Sequence, residues 1–168
     1  GLMLTLIETG LWAVGSQDYR ARADLMWGAT LALNGLIGAG VPQDWSTHVI
    51  GHELTAMFGI DHARTLAVVL PAMLQVRRDA KRAMLLKYAE RVWGLREGND
   101  ENRIDSAIQR TRDFFEQLGL PTRLSAHGVT AEAIPAIVEQ LKAHGMVALG
   151  ERREVTPEVC RAVLDAAL

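Results

Sequence analysis

Apolar residues recur every three or four positions through most of the 168-residue chain, and no stretch alternates well enough to predict a β-strand. The pattern is clearest in residues 79–93, where Ala83, Leu86 and Ala89 form one stripe and charged residues occupy the other side. Residues 147–149 are at most a short extended piece. The spacing predicts an all-α fold, a helical bundle of seven or eight helices, and the length suits a single domain over residues 1–168.

The start of the chain is less regular than the rest. Residues 1–8 are typical of the tail of a helix, and Gly10 and Gly15 predict a loop after it. Residues 19–37 have apolar positions at helical spacing and predict a longer helix.

Three closely spaced glycines, at positions 35, 38 and 40, lie at the end of this predicted helix and just beyond it. Their spacing is similar to that of a nucleotide-binding glycine loop. That fingerprint requires a strand before the glycines and a helix directly after them. Here a predicted helix precedes the glycines and Val41-Pro42 follows them. We therefore interpret this segment as a tight connection between helices.

Three of the five histidines, His48, His52 and His62, fall within 15 residues in an apolar, helix-forming context. His48 and His52 are four residues apart and share one face of a helix. A break at Gly59 would let the chain fold back and bring His62 toward that helix. Imidazole is the commonest ligand for transition metals, so two or three of these side chains are candidate ligands. The alternative is that all three are structural histidines.

Helix boundaries can be placed around these histidines. Asp44 is expected to cap a helix that ends near Met57, and Asp61 to cap a second helix that begins at His62. Pro71 is expected to kink or interrupt this second helix.

The remaining histidines and a protease-like motif carry less weight. His52-Glu53 begins like the H-E-x-x-H signature of zinc proteases, but Ala56 stands where the second histidine is required, so the motif is rejected. His127 and His144 lie in or beside predicted loops, and we expect both to be solvated.

Composition excludes several classes of protein. A net charge of -2 gives no basic surface for nucleic acid. No apolar run approaches the roughly 18 residues of a membrane span, and no basic segment precedes the apolar start, so neither a membrane association nor a signal peptide is predicted. The single cysteine, Cys160, excludes an internal disulfide and fits a reducing cytosol, so a cytoplasmic location is expected.

The histidine region resembles that of the iron-containing (group III) alcohol dehydrogenases, and most closely the branch of NAD(P)H-dependent butanol dehydrogenases and broad-range aldehyde reductases. Similarity extends over essentially the whole chain. The segments that carry it are Asn34–Gly40, Asp44–His48, Gly51–Ala56, Asp61–Ala63, Tyr88–Trp93 and Phe114–Gly119.

The resemblance implies that His48 and His62 bind the catalytic metal, either Fe²⁺ or Zn²⁺, and that His52 lies where substrate and nicotinamide meet. His52 would orient substrate or relay a proton. The family's other two ligands, an aspartate and a histidine in a D-x-x-x-H pattern, come earlier in the chain and have no counterpart here. The glycine-rich nucleotide-binding half, which binds NADPH or NADH, is also without a counterpart.

This sequence is thus expected to form the helical C-terminal half of an enzyme that transfers hydride between NAD(P)H and small aldehydes or alcohols. The isolated chain is expected to be inactive, and a homo-oligomer is expected. Trp45, Met57, Phe58 and Ile60 are candidates to line a dry substrate pocket. Two alternatives stay open: a three-histidine zinc hydrolase, and a non-catalytic helical interaction domain.

Overall fold

A computed structural model describes residues 2–168, except for the side chains of residues 2–5 and 14. The described chain contains α-helices, short 3₁₀ turns and one isolated antiparallel bridge between Leu149 and Val155. The helices are α1 (Leu2–Gly15), α2 (Tyr19–Leu33), α3 (Ser46–Phe58), α4 (His62–Val76), α5 (Arg82–Trp93), α6 (Asp100–Gln117), α7 (Ile134–Ala143) and α8 (Pro157–Ala166). The all-α prediction is confirmed, and none of the helices described is long and apolar enough to cross a membrane.

The chain divides into two compact units, Gly1–Gln43 and Asp44–Leu168, and each is described by itself. A single domain over the whole length therefore stays a prediction. The first unit is a hairpin of α1 and α2, followed by a 3₁₀ turn at Leu36–Gly38. The loop predicted at Gly10 is wrong, because Gly10 lies buried inside α1, which continues to Gly15.

Helix α2 begins as predicted and ends earlier than predicted. Asp18 caps its start, with Oδ1 accepting hydrogen bonds from the backbone N–H groups of Arg20 (2.8 Å) and Ala21 (3.4 Å). The helix stops at Leu33 because Gly35 takes a left-handed conformation with φ of +87°.

The second unit has its main core between α3, α4, α7 and α8. Its fully buried aliphatic side chains on these four helices include Ile50, Leu54, Val68, Val69, Ile137, Leu141 and Leu164. Helix α4 is central, since it packs against α3, α6 and α8. A smaller cluster, Leu85, Ile104 and Ile108, joins α5 to α6.

Pro71 does not interrupt α4, which is continuous from His62 to Val76. The predicted interruption does not occur because Pro71 is buried within a helix that is held by packing on several sides, and that packing outweighs the lost backbone hydrogen bond. The alternative, a kink at Pro71, stays a prediction. Cys160 is also fully buried, and burial raises the pKa of its thiol to about 11. Such a thiol stays protonated and serves as a small apolar core residue.

Candidate metal-binding site

The start of α3 is held by a network around Asp44. Trp45 occupies the N-cap position, and Asp44, one residue earlier, accepts a hydrogen bond from the Ser46 backbone N–H at 2.9 Å. Lys81 Nζ lies 2.8 Å from the same carboxylate. Burial by itself would raise the pKa of Asp44, but the hydrogen bonds from Lys81 and Ser46 outweigh it and lower the pKa to about 2. The prediction that Asp44 is the N-cap residue is therefore wrong by one position, although its carboxylate does accept one of the free amide N–H groups of the first turn.

The reversal between α3 and α4 places the histidines together. Gly59 ends α3 in a left-handed conformation with φ of +67°, and α4 begins at His62, as predicted. Asp61 occupies the cap position, but its carboxylate makes no capping hydrogen bond. The ring centroid of His62 lies 5.4 Å from that of His48 and 4.7 Å from that of His52. The structure therefore brings all three candidate residues together.

His48 is held in a partly apolar environment that favours its neutral form. Its ring is half-buried and meets the Trp45 ring edge-on at a centroid distance of 4.8 Å. Burial lowers the pKa of His48, and the neighbouring imidazoles of His62 and His52 lower it further. A neutral imidazole keeps a nitrogen lone pair free, which is the form that binds a metal ion.

His62 supplies the observation that tests whether a metal would fit. Its Nδ1 is buried and has no hydrogen-bond partner, although buried polar atoms in native structures almost always have one. An imidazole nitrogen in this position, beside His48 with its lowered pKa, suits a divalent ion that prefers nitrogen donors. The two residues therefore fit a metal as a partial ligand set.

The third histidine differs from these two. His52 is exposed to solvent. Within residues 2–168 as described, no group of three histidine, cysteine, aspartate or glutamate side chains is arranged to hold one metal ion. The arrangement does not favour the three-histidine hydrolase.

Sequence reasoning missed a hydrogen bond between Glu53 of α3 and His144 at the end of α7. Glu53 is only 7% exposed, and its Oε1 accepts a hydrogen bond from His144 Nδ1 at 2.6 Å. The ring of His144 is exposed, as predicted, but it has this partner. His127 is half-buried, with Nε2 3.3 Å from the Pro121 carbonyl oxygen, so the prediction of a solvated side chain is wrong for it. No local pattern marks a pair 91 residues apart.

The apolar side chains expected around the site divide into two kinds. Trp45, Met57 and Phe58 are each partly exposed, at 43%, 37% and 37%. Ile60 instead belongs to the main core and is only 7% exposed. Ile60 therefore supports the helix packing, whereas Trp45 contacts the ring of His48 and Met57 and Phe58 are partly exposed at the end of α3.

Comparison with known proteins gives a consistent set of relatives. Residues 2–168 match the sequence model of the Fe-containing alcohol dehydrogenase family, C-terminal region. The NADPH-dependent aldehyde reductase YqhD of Escherichia coli is 58% identical over 168 residues, which cover 99% of this chain and 43% of that protein. The NADH-dependent butanol dehydrogenase A of Clostridium acetobutylicum is 32% identical, over 94% of this chain and 41% of that protein.

Solved structures show the same fold. The substrate- and cofactor-free aldehyde reductase YqhD from E. coli superposes with a TM-score of 0.98 at 57% identity, covering 100% of this chain and 44% of that one. The butanol dehydrogenase A of Thermotoga maritima gives a TM-score of 0.92 at 28% identity, covering 99% and 44%. The chain spans less than half the length of these relatives. The matched residues and the shared fold show that the chain belongs to the iron-containing alcohol dehydrogenase family and corresponds to its C-terminal region.

Proposed function

We propose that this chain forms the metal- and substrate-binding part of an NAD(P)H-dependent alcohol dehydrogenase or aldehyde reductase. The observation that carries the proposal is the convergence of His48 and His62, with a buried Nδ1 on His62 that has no other partner. The names of the relatives, an aldehyde reductase and a butanol dehydrogenase, support hydride transfer with small aldehydes or alcohols.

His48 and His62 would hold a divalent ion, Fe²⁺ or Zn²⁺. When bound, such an ion acts as a Lewis acid that polarises a carbonyl oxygen. Two imidazoles are half of a four-ligand set, so we infer that the aspartate and histidine of the family's D-x-x-x-H pattern complete it from outside these residues. The alternative, an interaction domain with structural histidines, does not explain why the buried Nδ1 of His62 has no hydrogen-bond partner.

His52 and the neighbouring apolar residues would act on the substrate. The ring of His52 lies 4.7 Å from that of His62 and is open to solvent, where it can donate a hydrogen bond to a substrate oxygen or relay a proton. Trp45, Met57 and Phe58, partly exposed nearby in sequence, would exclude water from the reacting carbonyl.

The cofactor and the setting follow from the same relatives. One relative is named for NADPH and another for NADH, so we infer a nicotinamide cofactor held mainly by residues outside this chain. Large apolar side chains remain exposed, Tyr19 at 82% and Met26 at 72%, which supports assembly into a homo-oligomer. We further propose a cytoplasmic location and expect no NAD(P)H-dependent turnover from this chain alone.

A metal titration of the chain tests the ligand assignment. Imidazole NMR signals are followed during addition of Co²⁺, a paramagnetic substitute for the native ion. The signals of His48 and His62 are expected to shift and broaden first. His48→Ala and His62→Ala should each weaken binding at least tenfold, on the order of the losses that follow changes in a metal site. The matched control is His127→Ala, on a half-buried histidine of another element. Equal binding by all three variants would refute the assignment.

A further inference from the structure

We propose that Gly51 and Thr65 are positioning residues, which set the close approach of α3 and α4 that brings His62 beside His48 and His52. The inference rests on the proposed function for its biological meaning. The geometric claim stands on the contacts between the two helices.

Gly51 is buried on α3, between His48 and His52 in sequence. A Cβ atom placed there would lie 2.7 Å from Thr65 Oγ1, closer than real Cβ contacts allow. It would also meet Thr65 Cβ at 3.4 Å and Leu66 Cδ2 at 3.5 Å. Glycine is a poor residue for a helix interior compared with alanine, so this crossing with α4 gives a physical reason for its presence.

Thr65 has little freedom to move away from such a Cβ. The residue is fully buried, and its Oγ1 donates a hydrogen bond to the His62 carbonyl oxygen at 2.7 Å. A β-branched side chain is also stiff about its first torsion angle. A side chain at position 51 would therefore displace the first turn of α4 and not only the hydroxyl of Thr65.

The displaced turn is the one that carries His62. His62 lies three residues before Thr65, and His48 lies three residues before Gly51, so the crossing point is less than one helical turn from both rings. A shift at the crossing reaches the His48–His62 separation almost undiminished, because both helices are rigid over that distance. The 5.4 Å separation of the two rings is therefore expected to depend on the size of residue 51.

The test is Gly51→Ala, read by nuclear Overhauser effects between the ring protons of His48 and His62. These contacts report the ring separation without any metal. They should be present in the wild-type chain and lost in Gly51→Ala, together with at least a tenfold loss of Co²⁺ affinity, on the scale known for residues that support metal ligands. The matched control is Gly15→Ala, since a Cβ at that helical glycine meets nothing within 4 Å.

A second substitution separates positioning from general damage. In Gly51→Ala/Thr65→Ala the Oγ1 atom is gone, and the new Cβ has room, so the ring contacts should return relative to Gly51→Ala alone. The double variant also decides the question if Gly51→Ala does not fold. Two results would overturn the proposal. One is a folded Gly51→Ala that keeps the contacts between the His48 and His62 rings, and the other is a double variant in which these contacts are no stronger than in Gly51→Ala. A further result would separate the two proposals. If the ring contacts are present in wild type, lost in Gly51→Ala and restored in the double variant, but wild type binds no Co²⁺, the metal assignment is refuted and the positioning role is retained.

Discussion

The two units of this chain use their apolar side chains in opposite ways. In residues 44–168, large aliphatic residues such as Leu54 and Leu141 are fully buried in one main core. In residues 2–43, the buried positions described include Ala13, Ala21 and Gly28. Many of the large side chains are exposed, among them three at every seventh residue of α2: Tyr19, Met26 and Leu33.

The difference shows that residue type alone does not indicate where a core lies. A helix hairpin closed by small residues approaches closely but buries little apolar area, and the hydrophobic contribution to folding scales with that area. The second unit buries many aliphatic side chains and also has ion pairs between distant segments, such as Asp44–Lys81 and Arg77–Glu154. Within the described part of residues 1–43, no basic side-chain nitrogen lies within 4 Å of a carboxylate oxygen.

The comparison is tested most strongly by making the same kind of truncation in each unit. Leu141→Ala removes a fully buried side chain from α7 and should lower the free energy of unfolding by about 2–5 kcal/mol. Met26→Ala removes a side chain that is 72% exposed and should change it by at most about 0.5 kcal/mol. Urea unfolding of both variants measures the contrast. Similar losses in the two variants would show that α2 is buried in solution.

A smaller effect is expected on the pH dependence of the free energy of unfolding, to which a paired carboxylate of the second unit contributes. The pKa of Asp44 is lowered to about 2, so its pairing stabilises the fold above the carboxyl's unfolded pKa, and this contribution is lost as the pH falls from about 4 to about 2. Asp44→Asn should therefore cost about 2 kcal/mol near neutral pH and almost nothing near pH 2, on the linkage between pKa shift and stability. Chemical unfolding of wild type and variant across that range gives the difference.

The control for Asp44→Asn is Asp18→Asn in the first unit. Asparagine caps a helix about as well as aspartate, so Asp18→Asn should leave the free energy of unfolding near neutral pH unchanged. A difference between wild type and Asp44→Asn that persists unchanged down to pH 2 would mean that the ion pair with Lys81 does not supply this stability.

Spacing in the sequence predicted the parts of the site that depend on neighbouring residues. The end of α3 at Gly59 and the start of α4 at His62 are confirmed, because each is set by residues within one or two turns. The Glu53–His144 pair could not be predicted, since it depends on which faces of distant helices meet. Gly10 was misinterpreted for the same reason: a glycine that breaks a helix and one that lies buried inside it have the same local signature.

The smallest expected effect concerns helix capping. Here the first unit, and not the second, is expected to lose stability when the aspartate before a helix is replaced. The Asp18 carboxylate accepts two hydrogen bonds from backbone N–H groups at the start of α2, whereas the carboxylate of Asp61, at the same position before α4, makes no capping hydrogen bond. Asp18→Ala should therefore destabilise α2 by about 1 kcal/mol. Asp61→Ala should have almost no effect, because its contact with Arg64 at 3.6 Å is exposed and such pairs contribute little.

Amide hydrogen exchange resolves this difference, since it reports the opening of each helix separately. Amides of α2 should exchange roughly fivefold faster in Asp18→Ala, which corresponds to about 1 kcal/mol at room temperature. Those of α4 should be unchanged in Asp61→Ala. Faster exchange in α4 would mean that the Asp61 carboxylate caps the helix in solution. Because that helix begins at His62, the capping contact would then also help to place the candidate ligand.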